Sequence, residues 1–130
     1  MTEARLKRLE IIQDLQRQTL ARFGSEGYNV FLFGSYLTNR FIEKKSDVDL
    51  AVYTKDKWRY VLLKDFLCDF FKDLGTEADV FYIDTEVIAP VYYAPLKSKA
   101  RFTDFYPEEL ELFREECKKV YDKCEKIAVD

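Results

Sequence analysis

The sequence predicts an α/β chain of the α+β kind: a small mixed β-sheet flanked by helices, with elements in the order α-β-α-β-α-β-α. Three observations lead there. Apolar residues recur at helical spacing in three long segments, and three short runs rich in β-branched and aromatic residues lie between them. Glycines punctuate the joins, at Gly24, Gly27, Gly34 and Gly75.

The first helix is expected over Thr2 to Phe23, with Thr2 as N-cap and an apolar face through Leu6, Leu9, Ile12, Leu15 or Gln16, Thr19, Leu20 and Phe23. Gly24-Ser-Glu-Gly27 breaks it. Tyr28 to Phe33 then reads as a strand buried on both faces, ended by Gly34. Ser35 to Phe41 is expected to make one helical turn, Ile42 to Lys45 a loop, and Asp47 to Tyr53 the second strand. The next helix runs from Asp56 to Leu74, its stripe formed by Trp58, Val61, Leu62, Phe66, Cys68, Phe70, Phe71 and Leu74, with Gly75 as stop. Glu77 to Ile83 supplies the third strand. Thr85 to Ala89 suits a short helix, and Pro90, Pro95 and Lys97-Ser-Lys-Ala-Arg101 suit a loop. A final helix starts at Pro107 and carries Leu110, Phe113, Cys117, Val120, Tyr121, Cys124 and Ile127 on one face. Its acids precede its lysines, the order that complements the helix dipole.

At 130 residues without repeats or linkers, one domain over 1–130 is expected. The 21 Lys and Arg against 24 Asp and Glu give a formal charge of −3, which disfavours a binder of long nucleic acid. Cys68, Cys117 and Cys124 lack zinc-site spacing and read as reduced thiols filling the core of a cytoplasmic protein. No apolar run reaches the roughly 18 residues of a membrane span. There is no histidine. That excludes His-based triads, His-ligated zinc and imidazole bases, and leaves carboxylates, hydroxyls, thiols and metal to do any chemistry.

The informative segment is Phe31-Leu-Phe-Gly-Ser-Tyr36 followed by Lys45-Ser-Asp-Val-Asp-Leu-Ala-Val52. In an extended strand Asp47 and Asp49 share a face about 6.6 Å apart, where at an effective dielectric of ~20 they repel by about 2 to 3 kcal/mol. A magnesium ion offsets that, being hard and usually bound by one or two carboxylates plus substrate phosphates. Gly34-Ser35 at a strand end lets phosphate approach the backbone. Asp79 is a third strand aspartate, able to face the same pair if its strand lies beside the second.

Gly34-Ser35, eleven intervening residues, Asp47-x-Asp49 and the later Asp79 resemble the signature of the nucleotidyltransferases of the DNA polymerase beta superfamily, and the chain's size resembles its minimal nucleotidyltransferase (MNT) domains. The segment Phe105 to Lys123 resembles the C-terminal helix of MNT antitoxins encoded beside HEPN-domain toxins. The resemblance implies a polymerase-beta-like fold and transfer of a nucleoside monophosphate, AMP from ATP, onto a hydroxyl, with two magnesium ions in the active complex. Asp47, Asp49 and Asp79 would be the metal ligands, Asp79 would also help deprotonate the hydroxyl, and Gly34 and Ser35 would hold the outer phosphates. A partner HEPN protein would be the acceptor. The chain departs from the family pattern at Tyr36, where Arg is common, so the phosphate-binding cation is expected from Arg40, Lys44 or Lys45. Lys97, Lys99 and Arg101 are further candidates for the triphosphate or an acidic partner. Two other functions stay open: an antitoxin acting by capture alone, and a small-molecule transferase of the aminoglycoside-modifying kind.

Overall fold

The computed structural model describes residues 1–129, without the side chains of 127–129. Its elements are α1 (Glu3–Phe23), β1 (Tyr28–Phe33), β2 (Val48–Thr54), α2 (Lys57–Asp73), β3 (Ala78–Tyr82), a 3-10 turn (Pro90–Tyr92), α3 (Tyr93–Lys97) and α4 (Glu108–Val129). The strands form one mixed sheet in the order β1-β2-β3. The first pair is antiparallel with Phe33 opposite Asp49, and the second parallel with Asp49 opposite Asp79. The outer edge of β1 is taken by residues 100–102: the Leu32 amide donates to the Ala100 carbonyl at 2.9 Å and the Phe102 amide to the Val30 carbonyl at 3.0 Å.

Alternation along the strands explains why all three read as nearly continuous apolar runs. Val30, Leu32, Leu50, Val52 and Val80 face Ile12 and Leu15 of α1 and Leu63, Leu67 and Phe71 of α2. Phe31, Ala51 and Tyr53 face the other way, onto Leu96 of α3 and Leu110, Phe113 and Cys117 of α4. Both sides of the sheet are therefore covered. Asp49 shares its side with Ala51 and Tyr53, one step before that cover begins.

Local chemistry sets the ends. The Thr2 hydroxyl accepts from the Arg5 amide at 3.1 Å, as expected of an N-cap, and Asp56 caps α2 by accepting from the Trp58 and Arg59 amides at 3.0 and 3.3 Å. Gly75, at φ +74°, closes α2 in a Schellman arrangement: its amide donates to the Lys72 carbonyl and the Thr76 amide to the Phe71 carbonyl, both at 2.9 Å.

Several expectations are corrected. Ser35 to Phe41 runs as successive turns, so the second α of the expected order is not a helix. Helix formation lies later than Thr85–Ala89, in the Pro90–Lys97 segment, because both prolines occupy first-turn positions where a missing N–H costs nothing. Asp47 sits just before β2 rather than inside it. On α2 the buried stripe is Leu63, Leu67 and Phe71, while Trp58, Val61, Leu62 and Leu74 are exposed. On α1 the buried face is Arg8, Ile12, Leu15 and Thr19, and Leu6 is exposed. Cys124 is exposed rather than in the core, whereas Cys117 is buried and Cys68 half-buried; all three thiols are free. The side chain of Ile127 lies outside the described residues. Among the described residues no helix is long and apolar enough to cross a membrane.

Burial also predicts how the fold responds to alkali. Tyr36 and Tyr53 are pushed up to about 12, first by burial and then by the carboxylates of Glu43 and Glu109 respectively. A phenol raised in the folded chain favours folding while protonated, so this contribution is full below the ordinary value near 10 and is lost as the pH rises through about 12. Phenolate absorbance during an alkaline titration should show these two among the last of the nine tyrosines to ionise, together with loss of helical circular dichroism.

Candidate active site

The sheet delivers three chain ends to one place. Because β1 is antiparallel to β2 and β3 parallel to it, the C-terminal end of β1 and the N-terminal ends of β2 and β3 coincide. Phe33-Gly34 thus meets Asp49, the second residue of β2, and Asp49 meets Asp79, the second residue of β3. Register partners in neighbouring strands project to the same side, so Asp49 and Asp79 are lateral neighbours. Asp47 precedes Asp49 by two residues and is exposed, as is Asp79, while Asp49 is half-buried.

Electrostatics ties the three together. The Asp49 carboxyl is held above the usual carboxylate range, first by burial, then by the charge of Asp79, then by that of Asp47. Gly34 sets its position. Its φ of +75° is left-handed, and a Cβ there would collide with the Asp49 carboxylate, meeting its Cγ at 3.1 Å. The turn thereby lies flush against the acid.

Whether these residues fit magnesium follows from their chemistry. Among the described residues no three acidic or cysteine side chains are already gathered into a set that could hold a metal ion. Magnesium does not require one, since one or two carboxylates plus substrate phosphates suffice, and the donors here are hard oxygens whose mutual repulsion a cation relieves. The residue set fits as a carboxylate row completed by a phosphate ligand.

The turn after Gly34 is held from behind by two arginines that sequence reasoning missed. Arg8, only 5% exposed, donates through Nε to the Tyr36 carbonyl at 2.6 Å, and through its terminal nitrogens to the Thr38 carbonyl at 2.9 Å and Glu43 Oε1 at 3.3 Å. Its guanidinium also lies 5.0 Å from the Phe41 ring centroid. Arg5 donates to the Leu37 carbonyl at 2.6 Å. Three successive carbonyls are thus drawn toward α1. The signal was present in the sequence: Arg8 lies four residues before Ile12 on the helix's inner stripe, where a charge requires partners. Arg8→Ala should lower unfolding free energy by about 2 to 3 kcal/mol, the cost of losing charge-assisted bonds to otherwise paired groups. Urea unfolding with an unchanged slope checks this, and Arg8→Lys should recover part of the loss.

Cations gather on the far side of the turn. A groove of about 620 Å³ beside Phe33 and Gly34 has a largely apolar wall, with Leu37, Ala94 and Ala100, and carries Arg40, Lys97 and Lys99. Of the three cations named from the sequence for this role, Arg40 lines the groove, together with Lys99 and with Lys97, whose ammonium also lies 5.1 Å from the Tyr93 ring centroid. Lys44 and Lys45 do not line it; they lie in an exposed turn in which Lys44 adopts φ +66°. Arg101 is also elsewhere, its guanidinium 3.9 Å from the Tyr106 ring centroid and 5.7 Å from that of Phe31. Ser98 ties the lysine segment to β1, its hydroxyl donating to the Leu32 carbonyl at 2.5 Å. Ser35 is half-buried, and its carbonyl accepts from the Thr38 amide and hydroxyl at 2.9 and 2.7 Å.

A second hollow of about 450 Å³ opens beyond the carboxylates, lined by Asp47, Lys72, Thr76, Glu77 and Asp79. The first groove thus adjoins Gly34 and carries three cations, whereas the second is lined by Asp47 and Asp79 and is predominantly acidic. Such a division suits an anionic reactant on one side and a second reactant of different charge on the other.

A family model described as "Nucleotidyltransferase domain" matches residues 10–127, a span that includes β1, β2, β3 and most of α4. No curated protein matches the chain.

Proposed function

The chain belongs to the nucleotidyltransferase domain family, and on that premise we propose that it moves AMP from magnesium-bound ATP onto a hydroxyl of a partner protein. The observation that carries this reading is the meeting of Gly34, Asp49 and Asp79 at one end of the sheet, with a basic groove beside it. Family membership supports nucleotidyl transfer in general. The nucleotide, the metal and the acceptor are our assignments.

In this reading Asp47, Asp49 and Asp79 hold magnesium, which when bound supplies positive charge to the triphosphate oxygens. Gly34 and Ser35 receive the outer phosphates at the turn, where the absence of a Cβ leaves room for the Asp49 carboxylate to stand against the backbone. Arg40, Lys97 and Lys99 neutralise the triphosphate from the groove. Arg5 and Arg8 touch neither reactant and keep the turn in place. Asp79, exposed toward the second hollow, accepts the proton of the attacking hydroxyl. The hydroxyl oxygen bonds to the α-phosphorus as the bond to the β,γ-pyrophosphate breaks.

The resemblance of the C-terminal helix to MNT antitoxins makes a HEPN toxin the first acceptor to test, silenced by the bulk and negative charge it would gain. Incubation with ATP labelled in the α-phosphate, magnesium and such a toxin should label the toxin and release pyrophosphate. Label transfer undiminished in the Asp47→Asn, Asp49→Asn double variant would overturn the catalytic assignment.

A further inference from the structure

We propose that the outer edge of β3 is a docking strand for the acceptor: an extended, basic polypeptide segment pairs with it and brings a hydroxyl side chain to Asp79. This rests on the nucleotidyl-transfer reading above and adds the chemistry of the acceptor and its mode of binding. The two outer edges of the sheet differ. That of β1 is filled by residues 100–102, with ladder-type bonds donated by the Leu32 amide to Ala100 and by the Phe102 amide to Val30. That of β3 has no strand beside it among the described residues.

The bonding pattern identifies the groups left over. The Val48 amide donates to the Glu77 carbonyl and the Ile83 amide to the Val52 carbonyl, each at 2.9 Å, so the odd-numbered residues of this segment face β2. The amides of Ala78, Val80 and Tyr82 consequently point away from β2. None has a protein acceptor among the described residues. The carbonyls on the same edge receive only long contacts from α2: the Tyr60 hydroxyl on Val80 at 3.5 Å and the Cys68 thiol on Ala78 at 3.9 Å. Three unpaired donors at alternate residues are what an added strand satisfies. Ala78–Tyr82 holds no lysine, proline or bulge; what guards this edge is α2, whose Tyr60 and Cys68 side chains lie over it and leave Val80 4% exposed, so an added strand displaces them.

Charge selects the occupant. Between Glu77 and Glu86 the chain carries Glu77, Asp79, Asp84 and Glu86 and no Lys or Arg. A second copy pairing along β3 would bring two acidic edges together, which opposes self-association. A segment bearing Lys or Arg meets attraction instead, and a phosphate-rich nucleic acid meets repulsion. Distance fits as well, because neighbouring strands lie about 4.8 Å apart. A residue paired opposite Asp79 therefore presents its side chain to that carboxylate and to the hollow formed with Asp47, Thr76 and Glu77.

The test uses the full chain and a fluorescein-labelled peptide, Lys-Val-Lys-Val-Tyr-Val-Lys-Val-Lys, beside two twins: one methylated at every peptide nitrogen, one with Glu for each Lys. Anisotropy should show binding of the parent and at least about tenfold weaker binding of both twins. Asp84→Asn with Glu86→Lys should weaken the parent and leave magnesium-dependent ATP binding unchanged. With ATP and magnesium, label should appear on the parent's tyrosine. Equal affinity of the methylated twin, or a concentration-dependent dimer that the peptide dissociates, overturns the docking assignment while ATP binding lost in Asp49→Asn keeps the nucleotidyl reading intact. Absence of magnesium-dependent ATP binding overturns that reading itself, and the catalytic part of this inference with it.

Discussion

Asp49→Asn is expected to lower the rate of nucleotidyl transfer by at least about a thousandfold while leaving the fold at least as stable as before. Activity and stability pull in opposite directions at this residue. The Asp49 carboxyl is half-buried and flanked by Asp79 and Asp47, and burial first and those two charges next hold it above the ordinary carboxylate range. Its charged form is therefore disfavoured in the folded chain. Asparagine keeps the shape and removes the charge, which relieves the fold and takes the central ligand from the carboxylate row. Initial rates at saturating ATP and magnesium measure the first effect, and thermal midpoints without magnesium measure the second. Magnesium with ATP should raise the midpoint of the parent protein by ligand linkage and leave that of the variant unmoved. Full activity in Asp49→Asn would remove this residue from the machinery; a lowered midpoint without ligand would show that its role is packing.

That opposition explains why the carboxylates were legible in the sequence when much of the packing was not. Two aspartates one residue apart among Val48, Leu50, Ala51 and Val52 conflict with local propensity, and such a conflict marks function. The strand Tyr28–Phe33 was equally plain, since an apolar run bounded by Gly27 and Gly34 admits few other readings. The face of α2 was not. Trp58, Tyr60, Val61, Leu62, Leu63, Phe66, Leu67, Cys68, Phe70 and Phe71 encircle the helix, so its period names no unique stripe, and only packing against β2 and β3 selects Leu63, Leu67 and Phe71. The partnership of Asp49 with Asp79 depends on a parallel register across the intervening helix, which no local pattern encodes. Cations posed the same difficulty. Lys97, Lys99 and Arg101 look alike in the chain, yet only the two lysines line the groove; the Arg101 guanidinium packs on the Phe31 and Tyr106 rings, and the Lys97 ammonium itself lies over the Tyr93 ring at the groove's rim. Arg8 shows the converse case, a charge hidden within a helical stripe whose partners lie more than two dozen residues away.

Gly34→Ala should reduce transfer by about a hundredfold or more, the scale on which a displacement of ~1 Å in a reacting group acts. Two costs combine at this position, and a second glycine separates them. Alanine at φ +75° carries the left-handed penalty of about 1 to 2 kcal/mol that any L-residue meets there. Its Cβ would also overlap the Asp49 carboxylate, which has to rotate or carry the end of β2 with it. Gly75 has nearly the same backbone, φ +74°, but nothing within 4 Å of where a Cβ would stand. Gly75→Ala should therefore lose a similar backbone term and keep its transfer rate, whereas Gly34→Ala should lose more stability and most of its activity. Urea midpoints and initial rates for the two variants, measured side by side, give the difference directly. Equal losses of activity in both would mean that the turn acts only through general stability, and equal losses of stability with activity reduced in Gly34→Ala alone would mean that the carboxylate moves aside cheaply and that its position is what catalysis requires.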